Sequence, residues 1–98
     1  MIDQNNVILE GVIVAIDNNE QSSGTNFFVR NHTYDSSEDH EANCDFRCFV
    51  PGKPKLKEFS YVRIKGSLRF YYWTPERTPE STRDQRMYIL VKKIEEAV

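Results

Sequence analysis

No apolar run in this sequence approaches the roughly 20 residues that a membrane-spanning helix needs. The longest candidate, residues 7–16, is interrupted by Glu10 and Gly11. The first residues lack the basic segment, apolar block and small-residue site of a secretory leader, so the expected compartment is the cytoplasm. Glycine is sparse, and Gly24 and Gly52 stand alone, which excludes a glycine-rich phosphate loop. There are only two cysteines, Cys44 and Cys48. In a strand their Cα atoms would be roughly 13 Å apart, beyond the roughly 4.4–6.8 Å of a disulfide. Adding His40 gives a His-x3-Cys-x3-Cys spacing, but it lacks a close cysteine pair and a fourth ligand. Reduced thiols and no metal or other cofactor are expected. His32, His40, Ser36 and Ser37 do not assemble a nucleophile, base and orienting acid, so no enzyme is expected. With 98 residues there is room for a single domain, 1–98, and none for a catalytic barrel or a dinucleotide fold.

Charge of one sign is also missing overall: 15 acids and 13 bases leave a net charge of −2. The distribution is uneven. Residues 1–45 hold nine acids and a single base, Arg30, whereas residues 46–98 hold twelve bases and six acids. Such asymmetry points to a nucleic-acid or acidic surface, or to two ordinary solvated faces of a near-neutral domain.

What the sequence does contain is β pattern from end to end. Residues 6–16, rich in Val and Ile, predict a long first strand bent or bulged at Gly11. Residues 25–31, 44–50, 60–73 and 86–94 predict four more strands. Residues 33–43 are polar and acidic and are expected to form a flexible exposed loop, as are the proline- and charge-rich residues 74–85. Residues 51–59 have room for at most a helical turn after Pro54. Five strands with turn-rich connections predict an all-β fold, a five-stranded antiparallel OB barrel. An SH3-like barrel or a small sandwich is the alternative.

Alternate residues of a strand face opposite sides. On the fourth strand Val62, Ile64, Gly66, Leu68, Phe70 and Tyr72 are expected inside, and Arg63, Lys65, Ser67, Arg69, Tyr71 and Trp73 outside. On the third, Cys44, Phe46, Cys48 and Val50 face in, and Asp45, Arg47 and Phe49 face out. On the second, Phe27 and Val29 face in, and Phe28 and Arg30 face out. Each of these strands thus sets an outward arginine two residues from an outward aromatic. Single-stranded nucleic acid asks for that combination: bases stack on aromatic faces while Arg and Lys neutralise phosphates. A repeat of about 6.5–7 Å along the strand suits neighbouring nucleotides. Lys53, Lys55 and Lys57 would form a basic rim. The competing assignments are a subunit interface or loop packing for Trp73, a register slip that buries Phe28 or Phe49, and plain solvation for the arginines and lysines.

Several segments then resemble bacterial single-stranded DNA-binding (SSB) proteins. Asn5 to Gly11 is similar to that family's Asn-x-Val-x-Leu-x-Gly first strand, and Asn26-Phe27-Phe28-Val29 to its second. Residues 46–53 resemble its third strand with the Gly-Lys that follows. Residues 62–69 resemble its Val-x-Ile-x-Gly-x-Leu-Arg, and Trp73 coincides with a tryptophan on which the family stacks bases. The resemblance, running from Asn5 to Ile94, implies an OB fold, single-stranded DNA binding without strong sequence preference, and assembly into homodimers or homotetramers. By matched position Arg47, Phe49, Arg69 and Trp73 would touch DNA. The family's third-strand aromatic falls at Asp45, so that stacking position is lost. The acidic tail usual in the family has no counterpart after Glu95-Glu96-Ala97-Val98. Either it has been removed or this is a tailless relative, such as a PriB-like primosomal restart factor.

The combined expectation is a single-stranded DNA-binding protein acting in replication, recombination or repair, with replication or repair proteins as further partners. Its DNA-contacting residues would be Phe28, Arg30, Arg47, Phe49, Lys53, Lys55, Arg69, Tyr71 and Trp73. The alternatives are the restart factor and an OB module that docks a protein on the same face; the acidic stretch 35–41 would favour the last.

Overall fold

Val, Ile and Phe recur at every second position through most of this chain, and a strand buries such a pattern on one face. The computed structural model describes residues 3–17, 21–35, 37, 40–73 and 84–97. They form five strands: β1 (Val7–Asp17), β2 (Gly24–Asp35), β3 (His40–Pro51), β4 (Tyr61–Trp73) and β5 (Asp84–Glu96). The strands close into a barrel in the order β1-β2-β3-β5-β4, with β4 returning to β1. Every pairing is antiparallel except that of β3 with β5. This is the five-stranded barrel expected from the pattern.

Closure depends on β1 being long enough to pair twice. Val7 to Val12 pair with β4, and Val12 to Asp17 pair with β2. The register irregularity lies between Ile13 and Ala15, not at Gly11 as expected. Gly11 has a different duty. A Cβ there would press on the Arg30 carbonyl and lie 2.8 Å from Val29 Cγ1, so glycine permits the close approach of β1 to β2.

The barrel interior is filled by Leu9, Ile13, Phe27, Val29, Cys48, Val62, Ile64, Ile89 and Val91. Each large side chain withdrawn from water in this way is worth about 1.5–3 kcal/mol. The connection from β3 to β4 has no helix. It brings Leu56 against the core, and Phe59 N–H donates to the Ile13 carbonyl at 2.7 Å. Asn5 pins the entry to β1: its amide oxygen accepts from Leu68 N–H and its NH2 donates to the Leu68 carbonyl, both at 2.8 Å.

Several expected positions move. Residues 33–35 and 40–43, read as part of a loop, are the ends of β2 and β3 and are paired through Asp35↔His40. Most of the second expected loop, residues 74–83, lies outside the described residues. Phe70 is not core but 55% exposed, and Cys44 is exposed as well. Both lie on the inward-facing side of their strand, but on arms that run past the end of the barrel, where no interior remains to receive them. Ser67, expected outside, is buried, with Arg69 Nε donating to its hydroxyl at 3.4 Å.

Candidate nucleic-acid interface

The outer face of four consecutive strands, β2-β3-β5-β4, collects most of the residues singled out above. Register places them in rows. Between β2 and β3 the outward pairs are Asn26↔Phe49, Phe28↔Arg47 and Arg30↔Asp45. Between β4 and β5 they are Ser67↔Leu90, Arg69↔Tyr88 and Tyr71↔Arg86. The parallel pairing of β3 with β5, through Phe49↔Leu90, joins the two sets. In this order β5 lies between β3 and β4.

At the centre stands Arg47. Its guanidinium carbon lies 5.8 Å from the Phe28 ring centroid and 5.6 Å from that of Tyr71. Both are cation–π distances, each worth about 0.5–1 kcal/mol at an exposed site, so the cation is held in place before any ligand arrives. Tyr71 meets Tyr88 edge to face, with centroids 5.8 Å apart and planes at 61°. Asn26, Arg47, Phe49, Tyr71 and Tyr88 together line a cleft of about 300 Å³. Tyr88 and Asn26 were not among the expected site residues. Tyr88 carried the same signal as the others, an outward aromatic two residues from Arg86, and the parallel β3–β5 pairing brings it to the centre.

The remaining expected residues stand apart from this cluster or are otherwise engaged. Arg30 donates from Nε to Asp45 Oδ1 at 2.8 Å and from Nη2 to Oδ2 at 3.1 Å. That hydrogen bond, with the attraction of opposite charges, holds the Asp45 carboxyl below its ordinary range and pushes the Arg30 guanidinium higher still. Arg69 is exposed beside Ser67. Lys53 donates to the Gly24 carbonyl at 2.9 Å, and with Lys55 it lines a neighbouring cleft of about 560 Å³ that also includes Asp17 and Thr25. The Phe49 ring rests on Gly24, where a Cβ would fall 2.6 Å from Phe49 Cε2. Trp73 is placed in β4 by its pairing with Asp84, but its side chain lies outside the described residues.

An aromatic floor with fixed cations on a barrel of this strand order invites comparison with known structures. One similar structure is a small single-stranded DNA-binding protein from Mycoplasma pneumoniae, with TM-score 0.67 and 16% identity over 95% of this chain and 93% of that one. Another is a Plasmodium falciparum SSB in complex with ssDNA, with TM-score 0.75 and 13% identity over 100% of this chain and 98% of that one. This chain has the OB fold of SSB proteins. No family model and no curated protein sequence matches it. At these identities the shared property is the OB barrel itself, and what its outer face does must be argued from the residues on it.

Proposed function

We propose that this OB barrel binds single-stranded DNA across the outer face of β2-β3-β5-β4. The observation that carries the proposal is the convergence of Phe28, Phe49, Tyr71 and Tyr88 around Arg47. A half-buried, outward-facing aromatic floor of this kind stacks bases, at about 1–3 kcal/mol each, and the interleaved cation answers the phosphates between them. Arg69, Lys53 and Lys55 extend the cationic track beyond the cluster. The Plasmodium neighbour, an SSB in complex with ssDNA on the same fold, supports the same assignment. In this reading Trp73 adds a further stacking platform. The protein serves replication, recombination or repair in the cytoplasm as a homo-oligomer, without catalysing a reaction.

The test is a titration with oligo-dT followed by the fluorescence of Trp73, the only tryptophan. The expected result is quenching, with affinity that falls as salt rises. Absence of both quenching and any mobility shift at about 50 mM salt, where phosphate contacts are strong, overturns the proposal. Binding without quenching removes Trp73 alone from the site.

A further inference from the structure

Two glycines stand where the β2–β3 pairing begins, and they are glycines for different reasons. Gly52 lies in the left-handed region, at φ 83°, with open space where a Cβ would stand. A backbone conformation that side chains disfavour accounts for it. Gly24 has no such conformation, and it is buried. What it lacks is room. A Cβ there would collide with Phe49 Cζ, and would lie 2.5 Å from the Val50 carbonyl oxygen and 2.6 Å from Phe49 Cε2. Phe49 is opposite Asn26 in register, so its ring leans along the diagonal and lays its far end on Gly24. The backbone beneath is tied on both sides. Gly24 N–H donates to Ser22 Oγ at 3.3 Å, and the Gly24 carbonyl accepts from Lys53 Nζ at 2.9 Å. The crowding that a side chain brings here is therefore relieved more cheaply by moving the ring than by moving the strand.

We infer that Gly24 is a positioning residue for DNA binding: by having no side chain it seats the Phe49 ring in the wall of the cleft before any base arrives. The inference rests on the DNA-binding assignment above. Phe49 lines the cleft with Asn26, Arg47, Tyr71 and Tyr88. A ring that is free to turn gives up that freedom when a base stacks on it, and the loss subtracts from affinity. Seated on Gly24, the Phe49 ring has given it up on folding. Arg47 is held in the same sense by Phe28 and Tyr71, so two groups of the cleft are preset. An aromatic laid over a glycine of the neighbouring strand also steadies a sheet. A seat for DNA binding and a support for the fold are told apart by whether the loss in affinity depends on the ring.

A double-mutant cycle in binding makes that separation. With oligo-dT of about ten nucleotides, Gly24→Ala is expected to weaken binding about fivefold or more, the low end of one lost base stack. Phe49→Ala should do the same. Gly24→Ala made in the Phe49→Ala background should then cost less than about a further twofold, because the ring it displaces is already gone. Gly24→Ala without effect, or with the same loss in both backgrounds, overturns the inference; the second result traces the loss to the Val50 carbonyl. A Phe49→Ala protein that binds as the wild type does overturns it too, and leaves DNA binding to the rest of the face. Where Gly24→Ala fails to fold, NMR of the wild-type protein decides. The Gly24 α-protons are expected to show nuclear Overhauser contacts to the Phe49 ring in the free protein and again when oligo-dT saturates it. Loss of those contacts on binding means that the ring leaves its seat, which overturns the inference. Failure of the wild-type protein to bind oligo-dT overturns the DNA-binding assignment and this inference with it.

Discussion

A residue on this face is defined by its register, and Tyr88 shows how much depends on it. Its ring meets Tyr71 edge to face in the wall of the cleft, and its backbone pairs with Arg69. Phe70 is a larger exposed apolar surface only one position from Tyr71, yet alternation turns it to the other side of β4. The two should behave oppositely. Tyr88→Ala is expected to weaken oligo-dT binding by about 1–3 kcal/mol, the worth of one base stack, while Phe70→Ala leaves the affinity unchanged. Isothermal titration of both variants checks this, and equal losses would mean that the DNA path wraps the arm and does not follow the outer face. Alternation of residue types was enough to place Phe28, Arg47, Phe49 and Tyr71 on one side. It was not enough to place Tyr88 among them, because that needs to be known from the parallel pairing of β3 with β5, which has no local signature.

At the scale of the element, β3 carries the lesson that period alone does not say where a barrel ends. Cys44 and Cys48 share one side of this strand, and the pattern Cys44, Phe46, Cys48, Val50 reads as continuous core. In the fold Cys48 is wholly buried and Cys44 is exposed, because residues 40–45 run past the rim with the end of β2 as a two-stranded arm. The polar, acidic composition of that arm resembles a loop for the same reason: neither of its faces has a core to meet, so the hydrophobic period that betrays a strand is missing. His32 Nε2 beside Glu41 Oε2 at 3.2 Å is the kind of cross-strand contact that holds it instead. The two thiols provide a measurable contrast. Burial pushes the Cys48 thiol up to about 12, so it stays protonated and unreactive, whereas Cys44 is open to solvent. Alkylation at pH 8 followed by mass spectrometry should label Cys44 alone, with Cys48 modified only after unfolding. Since the folded form holds the Cys48 proton more tightly than the unfolded chain does, this contribution to stability is complete below the ordinary thiol pKa. It is lost as pH rises from there towards 12. Rapid labelling of Cys48 in native protein would mean that the barrel opens at β3.

Across the whole molecule, the division into an acidic first half and a basic second half does not become an acidic face and a basic face. The barrel interleaves the halves, and several cations are committed to local acids. Arg63 holds Glu10 at 2.9 Å on the β1 side, Lys93 holds Glu95 at 2.8 Å, and Arg30 holds Asp45 beside the cleft. The cations proposed to meet phosphates along the path are Arg47, Arg69, Lys53 and Lys55, of which Lys53 also donates to the Gly24 carbonyl. At about 0.7 per phosphate on a single strand, four such contacts give a plot of log affinity against log salt with a slope near about −3 per subunit. The ion pairs also predict where that slope is adjustable. Asp45→Asn releases Arg30 next to Phe28 and removes a negative charge from the track, so binding should tighten and the slope steepen by about 0.7. Glu10→Gln releases Arg63 in the same chemical sense and changes the net charge by the same amount, but on the β1 side, away from the aromatic floor. If the outer face of β2-β3-β5-β4 is the DNA path, only the first substitution alters the slope. Equal steepening by both would mean that the protein answers to its total charge, and the local arrangement of Arg30 and Asp45 would then have no part in binding.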